Sequence, residues 1–171
     1  MVLIRNIFSF NLYFEKFKIL FFKMNPVLKK LHIGSKNPVL IMNAPEDFIK
    51  TVNELNIEIH QEIEDYYNYV QVFAQDTEEA EELFTGALSA LETGGYFWFC
   101  FPKETSPEYE TDLDEEALND LIESYDLEGV TQVPIDENWM AIRLKFAGDD
   151  LEEDDLLTVD KGKKRFQSNE D

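Results

Sequence analysis

Lys103, Asp112 and Asp136 are the residues whose types and placement could do chemistry on a charged ligand. A lysine ammonium holds an anion as a point charge, and a nearby carboxylate can accept or return a proton. Asn43 and Thr111 add hydrogen-bonding groups, Trp139 an aromatic face, and Arg143 a guanidinium fork able to grip a carboxylate bidentately. Each also has a plainer role. Lys103 reads equally as a solvated loop lysine, Asp112 as a helix cap, and Asp136-Glu137-Asn138 as turn chemistry. Trp139 would serve as cover for a sheet edge, and Arg143 as a neutraliser of neighbouring carboxylates.

Other reactive groups have no partners in the sequence. Cys100 is the single cysteine, so there is no internal disulfide and no metal-ligand spacing, and its apolar surroundings mark a core residue. His32 and His60 fall in different segments, and no HExxH, GxSxG, CxxC or phosphate-loop pattern occurs. No metal is expected, and serine-hydrolase chemistry has no support.

The elements that must position the candidates follow from hydrophobic periodicity. Val27, Leu28 and Leu31 give a short helical face stopped at Gly34, and Val39–Met42 is a buried strand. Pro45 at a first helical position, with Glu46 and Asp47 behind it, starts a helix that buries Phe48, Ile49, Val52 and Leu55. Ile57, Ile59 and Ile63 alternate with polar residues as a strand over 57–63, and Tyr69–Phe73 is the next strand. Asp76 and Glu79 form a capping box for a helix burying Ala80, Leu83, Phe84, Ala87, Leu88 and Leu91, with Gly94 as its terminator. The run 96–101 is apolar on both faces, as in the middle of a sheet. A second box, Asp112 with Glu115, opens a helix lined by Ala117, Leu118, Leu121, Ile122 and Tyr125 and closed at Gly129. Val130–Ile135 and Trp139–Phe146 then make an antiparallel hairpin at one sheet edge.

Alternating strands and helices imply a single α/β domain with a mainly parallel sheet. One link strains that expectation. The residues between Ile63 and Tyr69 reach roughly 18 Å when extended, whereas a parallel return usually takes a dozen or more residues. The 57–63 strand is therefore shorter than its pattern, or it runs antiparallel.

The chain's 171 residues carry a formal charge of −21, distributed as +3 over 1–23, −19 over 24–146 and −5 over 147–171. So acidic a body repels phosphate backbones, which argues against nucleic-acid binding and leaves solubility or a basic partner as readings of the charge. Residues 1–23 are basic and Phe-rich, but Arg5, Glu15, Lys16 and Lys18 interrupt their apolar runs well short of the ~20 residues of a membrane span. They read as a non-domain extension, 25–147 as the folded domain, and 148–171 as a disordered acidic and basic tail. A cytoplasmic protein without membrane attachment is expected.

From Lys36 to Phe146 the chain resembles a bacterial family of small proteins defined only as a domain of unknown function. The matching pieces are Val39–Pro45, Leu91–Gly95 with its strand and Pro102-Lys103, Thr111–Leu113, and Val133–Trp139 with Arg143. The passage from helix through Gly94-Gly95 into the apolar strand is also similar to one in class I methyltransferases. The resemblance implies a Rossmann-like sheet of methyltransferase type with its middle strand–helix units trimmed, and it implies no reaction. Methyltransferases of this type hold adenosylmethionine against a glycine-rich turn after the first strand, where Asn43-Ala44-Pro45 stands in this chain. No cofactor is therefore expected. The sequence points to a non-catalytic binding module for a protein partner or small ligand. The alternative is a small enzyme acting on an anionic metabolite, with Lys103 as clamp and Asp112 or Asp136 as its carboxylate. An adenosylmethionine-dependent methyltransferase is the least favoured reading.

Overall fold

The computed structural model describes residues 25–149. Expectations for the amino-terminal extension and for all but the first two residues of the tail lie outside the described residues. Within that span the chain runs α1 (Pro26–Lys30), β1 (Val39–Met42), α2 (Glu46–Asn53), β2 (Ile59–His60), β3 (Tyr67–Phe73) and α3 (Thr77–Ser89). It continues through β4 (Leu91–Pro102), α4 (Glu115–Ser124), β5 (Leu127–Pro134) and β6 (Trp139–Phe146), with a single 3-10 turn at Ile33–Ser35.

The strands form one sheet in the order β2-β1-β3-β4-β6-β5. β2, β1, β3 and β4 are parallel, and β6 enters antiparallel between β4 and β5. This is a Rossmann-like α/β fold of methyltransferase type with a parallel core and an antiparallel edge, as the sequence led us to expect. The chain steps outward from β1 to β2 and then back across to β3, so the switch in strand order lies between β1 and β3.

Strand alternation splits the core into two layers. Val70, Val72, Phe97, Phe99, Phe101, Ile142 and Leu144 meet Phe84 and Ala87 of α3 and Leu118, Leu121 and Ile122 of α4. Tyr69, Phe73, Tyr96, Trp98, Cys100, Trp139 and Ala141 pack in the other layer with Leu28 of α1 and Phe48 and Val52 of α2. β4 is apolar on both faces because both faces are covered.

Several element ends differ from expectation, each for a local reason. The pattern over 57–63 yields only Ile59–His60 as strand, parallel to β1, with β1 lying between it and β3. Residues 61–66 form the link, and Ile63 leans on Gly86 of α3 instead of continuing the ladder. Pro45 is the residue before α2 and not its first. The first helix ends at Lys30, and His32, with φ 56°, turns the chain before Gly34, the residue read as its stop. Gly94 does not end α3: the helix closes at Ala90, and Gly94 (φ 75°) lies inside β4. Gly129 likewise lies in β5, and Asp126 (φ 55°) makes the left-handed turn after α4.

Candidate functional site

The carboxyl ends of β1, β3 and β4 share one edge of the sheet, and the β5–β6 turn joins them because Trp139 pairs with Pro102. That edge, at the switch between β1 and β3, is where open α/β sheets take ligands. Six of the seven candidates lie there or in the loop that crosses it.

Asn43 follows β1 in the left-handed region, φ 57°. Its Nδ2 donates to the Phe73 carbonyl (3.1 Å) at the end of β3 and to Glu79 Oε1 (2.7 Å) on α3. Glu79 Oε2 accepts from the Gln75 N–H at 2.6 Å, and Asp76 caps α3 by accepting from the Glu79 N–H at 2.9 Å. The expected capping box is therefore half realised. Asp76 does its part, but the Glu79 carboxylate is drawn to Gln75 and Asn43 and bridges the switch point.

Loop 103–114 straps the same edge. Lys103 donates from its backbone to the Asn138 carbonyl (2.8 Å) and from Nζ to the Asp136 carbonyl. Ser106 Oγ donates to Asn138 Oδ1 (2.8 Å), and Asn138 Nδ2 donates to Glu108 (3.0 Å). Gln75 Nε2 reaches the Glu110 carbonyl at 3.1 Å. Asp112 Oδ1 accepts from the Thr77 backbone at 2.8 Å and from its hydroxyl at 3.1 Å. Asp112 is thus no cap of its own helix. Asp114 caps α4, accepting from the Ala117 N–H at 2.9 Å, while Asp112 ties the strap to the start of α3. Thr111 Oγ1 accepts from the Leu113 N–H at 3.1 Å, a local turn contact.

Asp136 organises the hairpin turn, its Oδ1 accepting from the N–H groups of Asn138 and Trp139, both at 2.8 Å. Trp139 is buried, with its ring 5.2 Å from Phe73 and 5.0 Å from Tyr109 of the strap; Phe73 in turn meets Phe48 at 5.0 Å. These rings fill the edge beneath the strap.

Arg143 stands apart from the other six. It pairs with Trp98 in mid-strand, is 4% exposed, and lays its guanidinium 3.8 Å over the Tyr96 ring. Lys36 Nζ lies 4.7 Å from the same ring, and His32 meets it edge-on at 5.7 Å. Arg143 also lines a cavity of about 400 Å³ at the opposite edge of the sheet, together with Leu91–Gly95, Phe97, Leu127 and Leu144–Phe146. Hydrophobic periodicity carries no sign of this cavity, because it arises from a bulge. Between Tyr67↔Leu91 and Tyr69↔Tyr96, β4 spends extra residues that β3 does not match.

No family model matches the chain, and no curated protein does. Solved structures show likeness of fold at low identity. The ribosomal protein L11 methylase from Lactobacillus delbrueckii subsp. bulgaricus superposes with a TM-score of 0.39 at 12% identity over 64% of this chain, which spans only 58% of that protein. A DhpI–SAH complex gives 0.45 at 9%, covering 70% of this chain and 72% of that one. The N-methyltransferase NodS from Bradyrhizobium japonicum WM9 gives 0.44 at 12%, covering 70% and 92%. The fold assignment rests on this chain's own strand order.

The buried polar groups complete the inventory. Tyr69 Oη donates to Gln71 Oε1 (2.9 Å), and Gln71 Nε2 donates to Cys100 Sγ (3.1 Å). Burial drives the Cys100 thiol far above the usual range, and the Gln71 hydrogen bond only partly offsets this. A thiol so held is protonated and inert. Among the described residues there is no cluster of metal-ligating side chains, and no helix is long and apolar enough to cross a membrane.

Proposed function

We propose that the chain is a non-catalytic binding module on a methyltransferase-like Rossmann fold. The observation that carries this reading is the Asn43–Glu79 contact, which spans the switch point between β1 and β3. An adenosylmethionine methionine end needs close approach of the backbone there. Here the approach is taken by an asparagine side chain bonded to both neighbouring elements.

The candidate catalytic groups point the same way. Lys103 Nζ is engaged by the Asp136 carbonyl, and the Asp112 and Asp136 carboxylates each accept a backbone N–H. For the metabolite-enzyme reading, Lys103 and a carboxylate would need to face a common cavity. The cavity described above contains neither Lys103, Asp112 nor Asp136. A binding role for a protein partner or a small ligand asks only for a stable surface, which this network provides.

The test is a thermal-shift assay of the full chain with adenosylmethionine and adenosylhomocysteine. A ligand at 100 times its Kd adds ~2.7 kcal/mol of stability. The reading expects no shift with either compound at millimolar concentration. A dose-dependent rise with a micromolar midpoint would overturn it.

A further inference from the structure

The chain is turned back on itself as it leaves β6. The Asp149 N–H donates to the Phe146 carbonyl at 3.1 Å, which closes a four-residue turn, and Gly148 takes φ 89° within it. Lys145 Nζ latches the turn by donating to the Asp149 carbonyl at 2.6 Å, and the Ala147 N–H donates to the Asp126 carbonyl at 2.9 Å. A turn of this kind reverses direction, so the chain after Asp149 starts back along β6 instead of away from the sheet.

The cavity at the opposite edge lies beside that turn, with Asp149 in its lining. β4 pairs with β6 only as far as Phe97↔Leu144, and the ladder to β3 skips from Leu91 to Tyr96. Among the described residues, Lys145 and Phe146 pair with β5 alone, and the gap on their other side is the cavity. Leu91, Phe97, Leu127 and Leu144, all of the α3–α4 layer, give it an apolar wall. Phe146 joins them and is 42% exposed, a large apolar side chain that the described residues leave half uncovered. The charges around the cavity balance, Arg143 and Lys145 against Glu92 and Asp149, and Lys145 is paired with Glu128. Such a wall favours an uncharged, apolar occupant.

The sequence beyond the turn supplies one. Leu151 follows Asp149 by two positions, within about 7 Å of chain, and Leu156-Leu157 come after the acidic run Glu152-Glu153-Asp154-Asp155. We propose that the cavity is the docking site of the chain's own segment 150–157, with Leu151 in the cavity and Leu156-Leu157 over Phe146. The acidic run between them stays in water, because Lys145 and Arg143 already have partners. While the segment is docked, the cavity is closed to other ligands. This inference goes beyond the binding reading and does not depend on it.

The experiment measures nuclear Overhauser contacts in the isotope-labelled full chain. Methyl groups of Leu151, Leu156 and Leu157 are expected to contact the rings of Phe97 and Phe146. Joint replacement Leu151→Ser, Leu156→Ser and Leu157→Ser is expected to shift the amide resonances of Thr93, Gly94, Gly95 and Phe146. The same replacement should lower the melting temperature by at least about 3 °C. Glu152→Gln with Glu153→Gln should keep every contact, since apolar burial and not charge holds the segment. Absence of the ring contacts, an unchanged melting temperature in the serine variant, or loss of contacts in the glutamine variant would each overturn the proposal. Contacts that pass between labelled and unlabelled copies in a mixed sample would assign the cavity to a second copy's tail, and would overturn it too.

Discussion

Asn43 Nδ2 lies 2.7 Å from Glu79 Oε1 and 3.1 Å from the Phe73 carbonyl oxygen, joining the ends of β1 and β3 to the first turn of α3. Asparagine tolerates the left-handed backbone at this position better than most residues, and its amide is long enough to reach both partners. Replacing it separates two contributions. Asn43→Ala and Asn43→Gly lose the same side-chain bonds, but only alanine also bears the left-handed strain. We expect both to destabilise the chain, with alanine costing roughly 1 kcal/mol more than glycine in urea unfolding. The reverse order would mean that φ at Asn43 is not held positive in solution.

Two glycines test the bulge against the helix. A Cβ at Gly95 would press on the Glu92 carbonyl oxygen at 2.9 Å and the Asn68 carbonyl oxygen at 3.2 Å, both backbone atoms that cannot swing away. Gly86 sits inside α3, where a Cβ would meet only the Ile63 Cδ1 tip at 3.3 Å, on a side chain 45% exposed. Gly95→Ala should therefore lose about 1–3 kcal/mol. Gly86→Ala should gain up to about 1 kcal/mol from helix propensity. Thermal melting of the two variants checks the pair, and equal effects would contradict the bulge geometry.

The buried thiol gives a pH-dependent prediction with a definite sign. Burial raises the Cys100 thiol in the folded chain, whereas the unfolded chain ionises near the ordinary value of about 8.5. Above that pH the unfolded state releases a proton that the folded state keeps. Stability is therefore fully present below about pH 8.5 and falls as pH rises, by up to about 1.4 kcal/mol per unit for this group. Tyr69, also raised by burial, adds a second loss above about pH 10. Urea unfolding from pH 7 to pH 10 measures this. A flat profile would place the thiol in contact with water.

Much of the fold was legible because burial writes itself into residue type. The run 96–101 announced a central strand, and the spacing of Ala80, Phe84 and Ala87 announced the inner face of α3. Element ends were less legible, since several residues near each end could serve. Asp112 has Glu115 at capping-box spacing, whereas Ala117 stands three residues after Asp114, so the local pattern favoured Asp112 although Asp114 is the residue that caps. Asp112 was captured by Thr77, a residue 35 positions away, so only tertiary structure decides. The Asn43–Glu79 contact was hidden for the same reason, at a separation of 36. Arg143 was grouped with the strand-end candidates because its segment matched theirs. Register places it in mid-strand and turns it toward Tyr96.

On the function proposed above, the chain's own groups close the strand-end edge. The most direct measurement follows the backbone amide resonances of Asn43, Gln75, Glu79 and Lys103 in the full chain while adenosylmethionine is added to millimolar concentration. None of the four is expected to shift saturably, because Asn43, Glu79 and the strap keep their mutual hydrogen bonds. Saturable movement of Asn43 and Glu79 at micromolar ligand would show that the edge opens to the cofactor and that the chain is no degenerate binding module.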